Sequence, residues 1–525
     1  MNYKMLKYAR VALAILFIVL ITVSFLDFRD WMPTPMVNST LYLQFIPSLL
    51  KFFKILSISV IGFAVVILLT ALFGRVYCSA ICPLGIFQDV VARISRLFKK
   101  RKKYRKQKPY PWLRYAILAG VILLFFIIGP LVLSLTDPYS IYGKFMVALF
   151  KPALLFVNNG IASVAATMNI YSIYNVDPVF FPWQTMVVAI LMFLLVVVMS
   201  GKWGRLYCNT ICPVGTLLGL ISSRGLFRIQ IDNESCTLCG KCQVSCKAGC
   251  IDLKNKAVDN SRCVSCYNCL TVCQDDAIHY RTKKPSLPVS EIKNEEDTSS
   301  KRDFLRFLVA GMAGLWGISR VKARTPQDPI NKNPTTVPVN REYTVIPPGS
   351  MGLDHFKNAC TACQLCVNQC PTGVLQPSVT ELGIEGFMQP FMNYSQNYCE
   401  FECHHCTNIC PTGAILPLKL EEKKTTQLGK VTFIKENCVV YTENTACGSC
   451  SEHCPTQAVR MVPYIGDLTI PETDNSICIG CGACEYACPV VPFKAIYVDG
   501  NPIHELAQKP ESKKVEEDEI EEFPF

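Results

Sequence analysis

Residues 360–371 read Cys360-Thr361-Ala362-Cys363-Gln364-Leu365-Cys366-Val367-Asn368-Gln369-Cys370-Pro371. The ending recurs three times downstream: Cys399, Cys403, Cys406 and Cys410 before Pro411; Cys438, Cys447, Cys450 and Cys454 before Pro455; Cys478, Cys481, Cys484 and Cys488 before Pro489. Three closely spaced thiolates can hold three corners of a 4Fe–4S cube, with the fourth Cys turned towards a neighbouring cube. Four such runs predict four cubes, arranged as two pairs. Zinc knuckles seldom repeat this spacing, and disulfide frameworks belong to short secreted chains.

Upstream lie two more quartets, Cys236, Cys239, Cys242, Cys246 and Cys263, Cys266, Cys269, Cys273. The expected ligation is Cys236, Cys239 and Cys242 with Cys273, and Cys263, Cys266 and Cys269 with Cys246. Lys247 and Gln274 stand where the later quartets carry Pro. Six quartets predict six 4Fe–4S clusters. Of the 29 Cys, Cys250 alone falls outside the quartets and the two pairs described next. It reads as a buried spare or a substitute for Cys246.

The N-terminal part is of a different kind. Mean hydropathy is +0.27 and half of the 525 residues are apolar, too apolar for an ordinary soluble chain. Runs at 8–26, 55–73, 113–136 and 183–200 are each long enough, or nearly so, to span a hydrocarbon layer of about 30 Å. Residues 145–168 are also apolar but interrupted by Lys151-Pro152 and Asn158-Asn159-Gly160, and read as an external or re-entrant segment. The stretch 74–112 holds eleven Lys and Arg against the single acid Asp89, whereas 137–182 holds only Lys144 and Lys151, balanced by Asp137 and Asp177. Positive loops stay inside, so loop 74–112 and the N-terminus are expected on the cytoplasmic side. The net charge of +11 lies largely in that loop and gives no reason to expect a nucleic acid partner.

An internal repeat organises these spans. Gly74-Arg75-Val76-Tyr77-Cys78 leads to Cys82-Pro83, and Gly204-Arg205-Leu206-Tyr207-Cys208 leads to Cys212-Pro213, at a constant offset of 130 residues. Cys at i and i+4 share a helix face, so Cys78, Cys82, Cys208 and Cys212 together could hold a seventh cluster. A redox dithiol or a structural role is the alternative. No C-x-x-C-H occurs, and His279, His355, His404, His405, His453 and His504 all lie outside the apolar runs; neither covalent nor membrane-embedded haem is expected.

Five regions follow: a membrane domain at 1–225, a dicluster domain at 226–282, a linker at 283–350, a four-cluster domain at 351–504 and an acidic tail at 505–525. Within the linker, Ser300-Lys301-Arg302-Asp303-Phe304-Leu305-Arg306 precedes a short apolar, Gly-rich run. This segment, 300–320, resembles a twin-arginine export signal with Lys for the first Arg, serving as a signal or anchor. Residues 324–350 are Pro-rich and read as an extended tether. The fold class expected is an α-helical membrane domain, four spans plus one later signal-like span, carrying α+β bacterial-type ferredoxin domains, one dicluster and one tetracluster.

The two C-x3-C-P repeats after membrane spans, followed by a dicluster ferredoxin, resemble the NapH type of membrane quinol dehydrogenase subunit. The twin-arginine-like segment followed by four quartets resembles the NapG/MauM type of periplasmic ferredoxin. Together the resemblances cover roughly 1–282 and 300–500, as if the two were fused. They imply electron flow from membrane quinol (menaquinol or ubiquinol) to a periplasmic reductase such as nitrate reductase. They also imply a place in the cytoplasmic membrane of a bacterium, with 226–300 inside and 324–525 in the periplasm. Resemblance to other four-cluster ferredoxins implies a nested exchange of fourth ligands, the first quartet with the last and the second with the third. An assembly or regulatory factor and a membrane metal-ion reductase are rival functions. For quinol oxidation no base is visible inside the spans; Asp137-Pro138 and Asp177-Pro178 flank them.

Overall fold

In the computed structural model, which describes residues 3–55, 61–98, 110–177, 181–282 and 336–509, four helices are long and apolar enough to cross a membrane: α1 (Tyr3–Leu26), α2 (Pro111–Ile128), α3 (Pro138–Thr167) and α4 (Trp183–Trp203). Apolar side chains such as Leu16, Val19, Leu123, Phe126, Leu191 and Leu195 point outward from them. A helix in lipid can do this because its backbone bonds are satisfied internally.

The number of spans matches expectation, but two members differ. The helix Gly62–Phe73, entering the first C-x3-C-P motif, is apolar but has only 12 residues; residues 56–60 of the expected span 55–73 lie outside the described residues. Conversely, 145–168 belongs to α3, a 30-residue helix. The expected breakers are absorbed locally. A π-helical turn, Met146–Phe150, interrupts the regular ladder just before Pro152, where a missing N–H costs least. Asn158 donates to the Tyr174 carbonyl, and Asn159 bonds both the N–H and the carbonyl of Val176, so both amides tie the helix to its returning loop.

The expected span 113–136 is itself divided. α2 ends at Gly129, which faces Asn358 of the C-terminal unit, and Leu131–Thr136 turns back until the Thr136 carbonyl accepts from Tyr207 Oη at 2.9 Å. Residues 131–136 are therefore a separate short helix and not a continuation of α2. Asp137 caps the start of α3 through the Ser140 N–H, 2.8 Å away, and is buried, not placed at an outer turn. Asp177 is exposed.

Strands Phe227–Ile231 and Ile278–Thr282 pair antiparallel with Ile229 opposite Tyr280, and enclose two short helices, Lys241–Ser245 and Asn268–Val272. In the C-terminal unit Thr426–Phe433 pairs with Ile496–Leu506, and Val459–Pro463 with Thr469–Thr473. This unit begins before 351. Val337 N–H donates to Asn437 Oδ1, Gly500 N–H donates to Tyr343 O, and Val345 and Ile346 are buried; the supposed tether is tied to this unit from 337 and packed into it from 345. At the other end Ala507 is buried and bonded to Thr425, so the tail begins later than 505. The signal-like segment 300–320 and the basic run 99–108 lie outside the described residues.

One continuous apolar core joins the membrane helices, the dicluster unit and the first two C-terminal quartets. α1 touches iron–sulfur units at both ends. Near its start Lys7 Nζ donates to Thr271 Oγ1 and Arg10 approaches Asp89; near its end the carbonyls of Ser24 and Asp27 accept from Asn368 Nδ2 at 3.2 and 3.0 Å. At 1.5 Å per residue, Arg10 and Ser24 stand about 21 Å apart along the helix.

Candidate iron–sulfur sites

Four hollows are lined by Cys from two quartets each. They hold Cys236, Cys239, Cys242 with Cys273; Cys263, Cys266, Cys269 with Cys246 and Cys250; Cys399, Cys403, Cys406 with Cys370; and Cys438, Cys447, Cys450 with Cys488. The remaining quartets complete the pattern: Cys366 is within electrostatic reach of Cys360, Cys363 and Cys410, and Cys484 of Cys478, Cys481 and Cys454. In the C-terminal unit, the fourth Cys of each quartet thus lies at its neighbour's hollow, between first and second quartets and between third and fourth. The nested pairing implied by resemblance is not what this chain adopts. A Cys before Pro reaches the quartet whose short helix packs beside its own, and those neighbours are consecutive in sequence.

Among the described residues no three Cys, His, Asp or Glu side chains converge on a single ion, and none of the 29 Cys is in a disulfide. A cube is bound through four separate irons, so its ligands line a hollow instead of meeting at a point. The loops are shaped for this. In the four C-x2-C-x2-C quartets, the second and fourth residues after the first Cys have positive φ: Leu238 and Gly240, Ser265 and Tyr267, Ala362 and Gln364, Gly480 and Gly482. This conformation is uncommon for residues other than Gly, and its repetition curls each loop around its hollow. Backbone N–H groups point inward: Ala362 N–H lies 3.4 Å from Cys360 Sγ and Gly480 N–H 3.4 Å from Cys478 Sγ. The Thr372, Thr412 and Thr456 hydroxyls sit 3.6–3.8 Å from the sulfurs of Cys370, Cys410 and Cys454. Burial pushes the Cys450 and Cys481 thiols up to about 12; thiolates here need cationic iron beside them. The donor set fits 4Fe–4S cubes.

The four membrane thiols, Cys78, Cys82, Cys208 and Cys212, are all buried and within mutual electrostatic reach. Their motifs brace each other reciprocally. Arg75 donates to the Cys208 carbonyl at 3.2 Å and Arg205 to the Cys78 carbonyl at 2.6 Å. Gly74 and Gly204, with φ of 78° and 70°, make the turns that free each Arg to cross over. On one side of this centre stands the dicluster unit: Arg205 N–H donates to Lys247 O, Asn209 to Ala248 O and Arg75 to Ser261 O. Asp89 ties the group, 2.8 Å from Arg205 and 3.0 Å from Lys247. Burial works to raise its carboxyl, yet these two cations hold it well below the usual carboxylate range. On the other side lie Asp137, within reach of Tyr77, Tyr207 and Cys363, and Gly143, where a Cβ would meet the Cys363 carbonyl at 2.2 Å. The repeated Arg of the two motifs was visible in the sequence; its role across the repeat, and those of Asp89 and Asp137, were not.

Sulfur sites built this way into a helical membrane scaffold define a membrane-embedded polyferredoxin. Comparisons with known proteins agree. The 4Fe–4S binding domain family matches residues 58–103 and 185–230, the two membrane motifs. 4Fe–4S dicluster domain families match 259–374, 359–415 and 445–491. The ferredoxin-type protein NapF of Escherichia coli K12 is 31% identical over 153 residues, 29% of this chain and 84% of the relative. The methylamine utilization ferredoxin-type protein MauM of Methylobacillus flagellatus is 33% identical over 150 residues, 27% of this chain and 62% of the relative. NapH of Escherichia coli K12 is 24% identical over 188 residues, 35% of this chain and 52% of the relative. No solved structure matches significantly. The chain belongs to the ferredoxin-type Nap and Mau proteins, as a NapH-like membrane part fused to a NapG/MauM-like polyferredoxin. It is an iron–sulfur electron-transfer protein.

Proposed function

We propose that this protein conducts electrons across the cytoplasmic membrane of a bacterium, from membrane quinol to a periplasmic reductase. Its six quartets hold six 4Fe–4S clusters, with a seventh held by Cys78, Cys82, Cys208 and Cys212. The observation that carries the reading is the position of those four thiols, between the dicluster unit at one end of α1 and the first C-terminal quartet at the other. Without a sulfur site there, about 21 Å of helix would separate the two units; with one, the gap is divided. The clusters supply reversible one-electron chemistry. The chain's own residues hold them apart from water, and Arg75 and Arg205 set positive charge beside the membrane thiols. Placement of the dicluster unit inside and the C-terminal unit outside is supported by their contacts with opposite ends of α1 and by the charge of loop 74–112.

Iron and acid-labile sulfide in the purified chain test this reading. Seven clusters' worth is expected, falling by one in Cys78→Ser and in Cys212→Ser, and the clusters of the wild type should be reduced by duroquinol in membranes. About four irons per chain, or stoichiometric zinc, would refute it.

A further inference from the structure

The C-terminal unit does not place its sites in sequence order. The first quartet lies against the membrane domain: Cys363 meets Gly143, Tyr139 is within electrostatic reach of Cys363 and Cys410, and Lys151 donates to the Asn368 carbonyl at 2.9 Å. The second quartet is its partner through Cys370 and Cys410. From the second, the close approach is to the fourth. Cys399 N–H donates to the Cys481 carbonyl at 2.9 Å, and Tyr394 Oη donates to the Gly480 carbonyl at 2.6 Å. Gly482, with φ of 80°, makes room for the Tyr394 ring, which a Cβ would meet at 2.2 Å. A small separate core gathers Ile479, Cys481 and Ala483 against Tyr398 and Cys399. The third quartet sits beyond: Cys438 and Cys450 share a core with Cys478, Cys484 and Cys488, and Ser449 Oγ donates to Ala487 O at 3.1 Å. It is also the quartet with the longest spacing, eight residues between Cys438 and Cys447, and positions 441–446 of that insert are exposed. Tyr441, at the start of this exposed stretch, is 45% exposed, an aromatic of the kind enriched where proteins meet.

We propose that electrons pass through this unit in the order first, second, fourth, third quartet, and that the third, under the exposed stretch 441–446, is where they leave for a one-electron-accepting redox protein. The inference rests on the electron-transfer reading above. Each quinol oxidised to quinone releases two protons at its own site and two electrons; these travel singly and reduce two molecules of the acceptor, one electron each.

Two variants of the full-length protein, Cys481→Ser and Cys447→Ser, distinguish this order from passage in sequence order. After duroquinol, EPR should find the third-quartet cluster of Cys481→Ser oxidised although the first and second are reduced; in Cys447→Ser the first, second and fourth should all be reduced. A reduced third-quartet cluster in Cys481→Ser, or an oxidised fourth in Cys447→Ser, overturns the proposal. Each variant should lose one cluster's worth of iron. If either loses more, the wild-type protein decides: after dithionite, spin coupling between second and fourth clusters should exceed that between second and third, and the reverse overturns the order. That measurement uses no quinol, so a wild-type protein that duroquinol leaves oxidised refutes the donor while the spin couplings still judge the order.

Discussion

Asp89 stands where three parts of the chain meet: α1 through Arg10, the second C-x3-C-P motif through Arg205, and the dicluster unit through Lys247. Replacing it with Asn leaves the fully buried Arg205 guanidinium without its carboxylate, a loss of about 3–5 kcal/mol for a broken buried pair. Asp89→Asn should therefore unfold at markedly lower denaturant in detergent than the wild type, and Arg10→Met, which gives up a 3.8 Å contact to Asp89 and a 3.1 Å hydrogen bond to the Ser79 carbonyl, should lose less. Because the folded carboxyl is held below its ordinary value of 3.8, its contribution is complete above that pH and declines only as pH falls further. A denaturation midpoint that shifted with Asp89 between pH 6 and 8 would contradict the pairing. A second residue, Cys250, lies 3.5 Å from Cys246, sulfur to sulfur, and lines the same hollow. Cys246→Ser should keep its cluster by recruiting Cys250, and the double variant Cys246→Ser with Cys250→Ser should lose it; iron per chain reads both.

The helices that open at Pro83 and Pro213 depend on missing side chains in their first turns. A Cβ on Gly85 would meet the Cys78 carbonyl at 2.3 Å and Arg205 Nη1 at 2.7 Å; on Gly215 it would meet the Cys208 carbonyl at 2.2 Å and Arg75 Nη2 at 2.8 Å. The symmetry of these contacts means that either residue, changed to Ala, pushes an Arg off the opposite motif. Gly85→Ala and Gly215→Ala should each remove the same cluster's worth of iron as Cys78→Ser. Gly120→Ala and Gly160→Ala, in α2 and α3 with nothing within 4 Å, should leave iron unchanged. Loss in all four would point to general helix damage. The 130-residue offset made the repeat legible in the sequence, but that its halves interlock is a matter of how α4 and the helix Gly62–Phe73 deliver their ends to one place.

For the whole molecule, the joint between the membrane domain and the C-terminal unit decides whether the units act together. Asn368 supplies two donors to α1 carbonyls and its own carbonyl accepts from Lys151. Asn368→Asp removes both donors and faces a carboxylate with two carbonyls. Each lost hydrogen bond costs about 0.5–1.5 kcal/mol, and the unpaired buried groups more. With a protease site inserted after Asn294, the cleaved wild type should elute as one complex in detergent and Asn368→Asp as two fragments; co-elution of both would assign the joint to other contacts.

What sequence alone determined here is chemistry that is local. Cys spacing within ten or so residues dictates loops that can wrap a cube, because the ligands come from one continuous turn, and the apolar runs announce membrane helices. Where the sequence reading failed, the deciding contacts were distant ones. Residues 145–168 read as broken because Pro152 and Asn158 break isolated helices; in the fold a π turn and the loop at 174–176 satisfy them. The break of the expected span 113–136 at Gly129 was hidden because hydropathy records apolarity, not direction. The exchange of Cys370 with Cys410 and of Cys454 with Cys488, and the meeting of Cys399 with Cys481, were settled only by tertiary packing. Each fourth Cys is the same residue before the same Pro, and which hollow it faces depends on which neighbour lies against it.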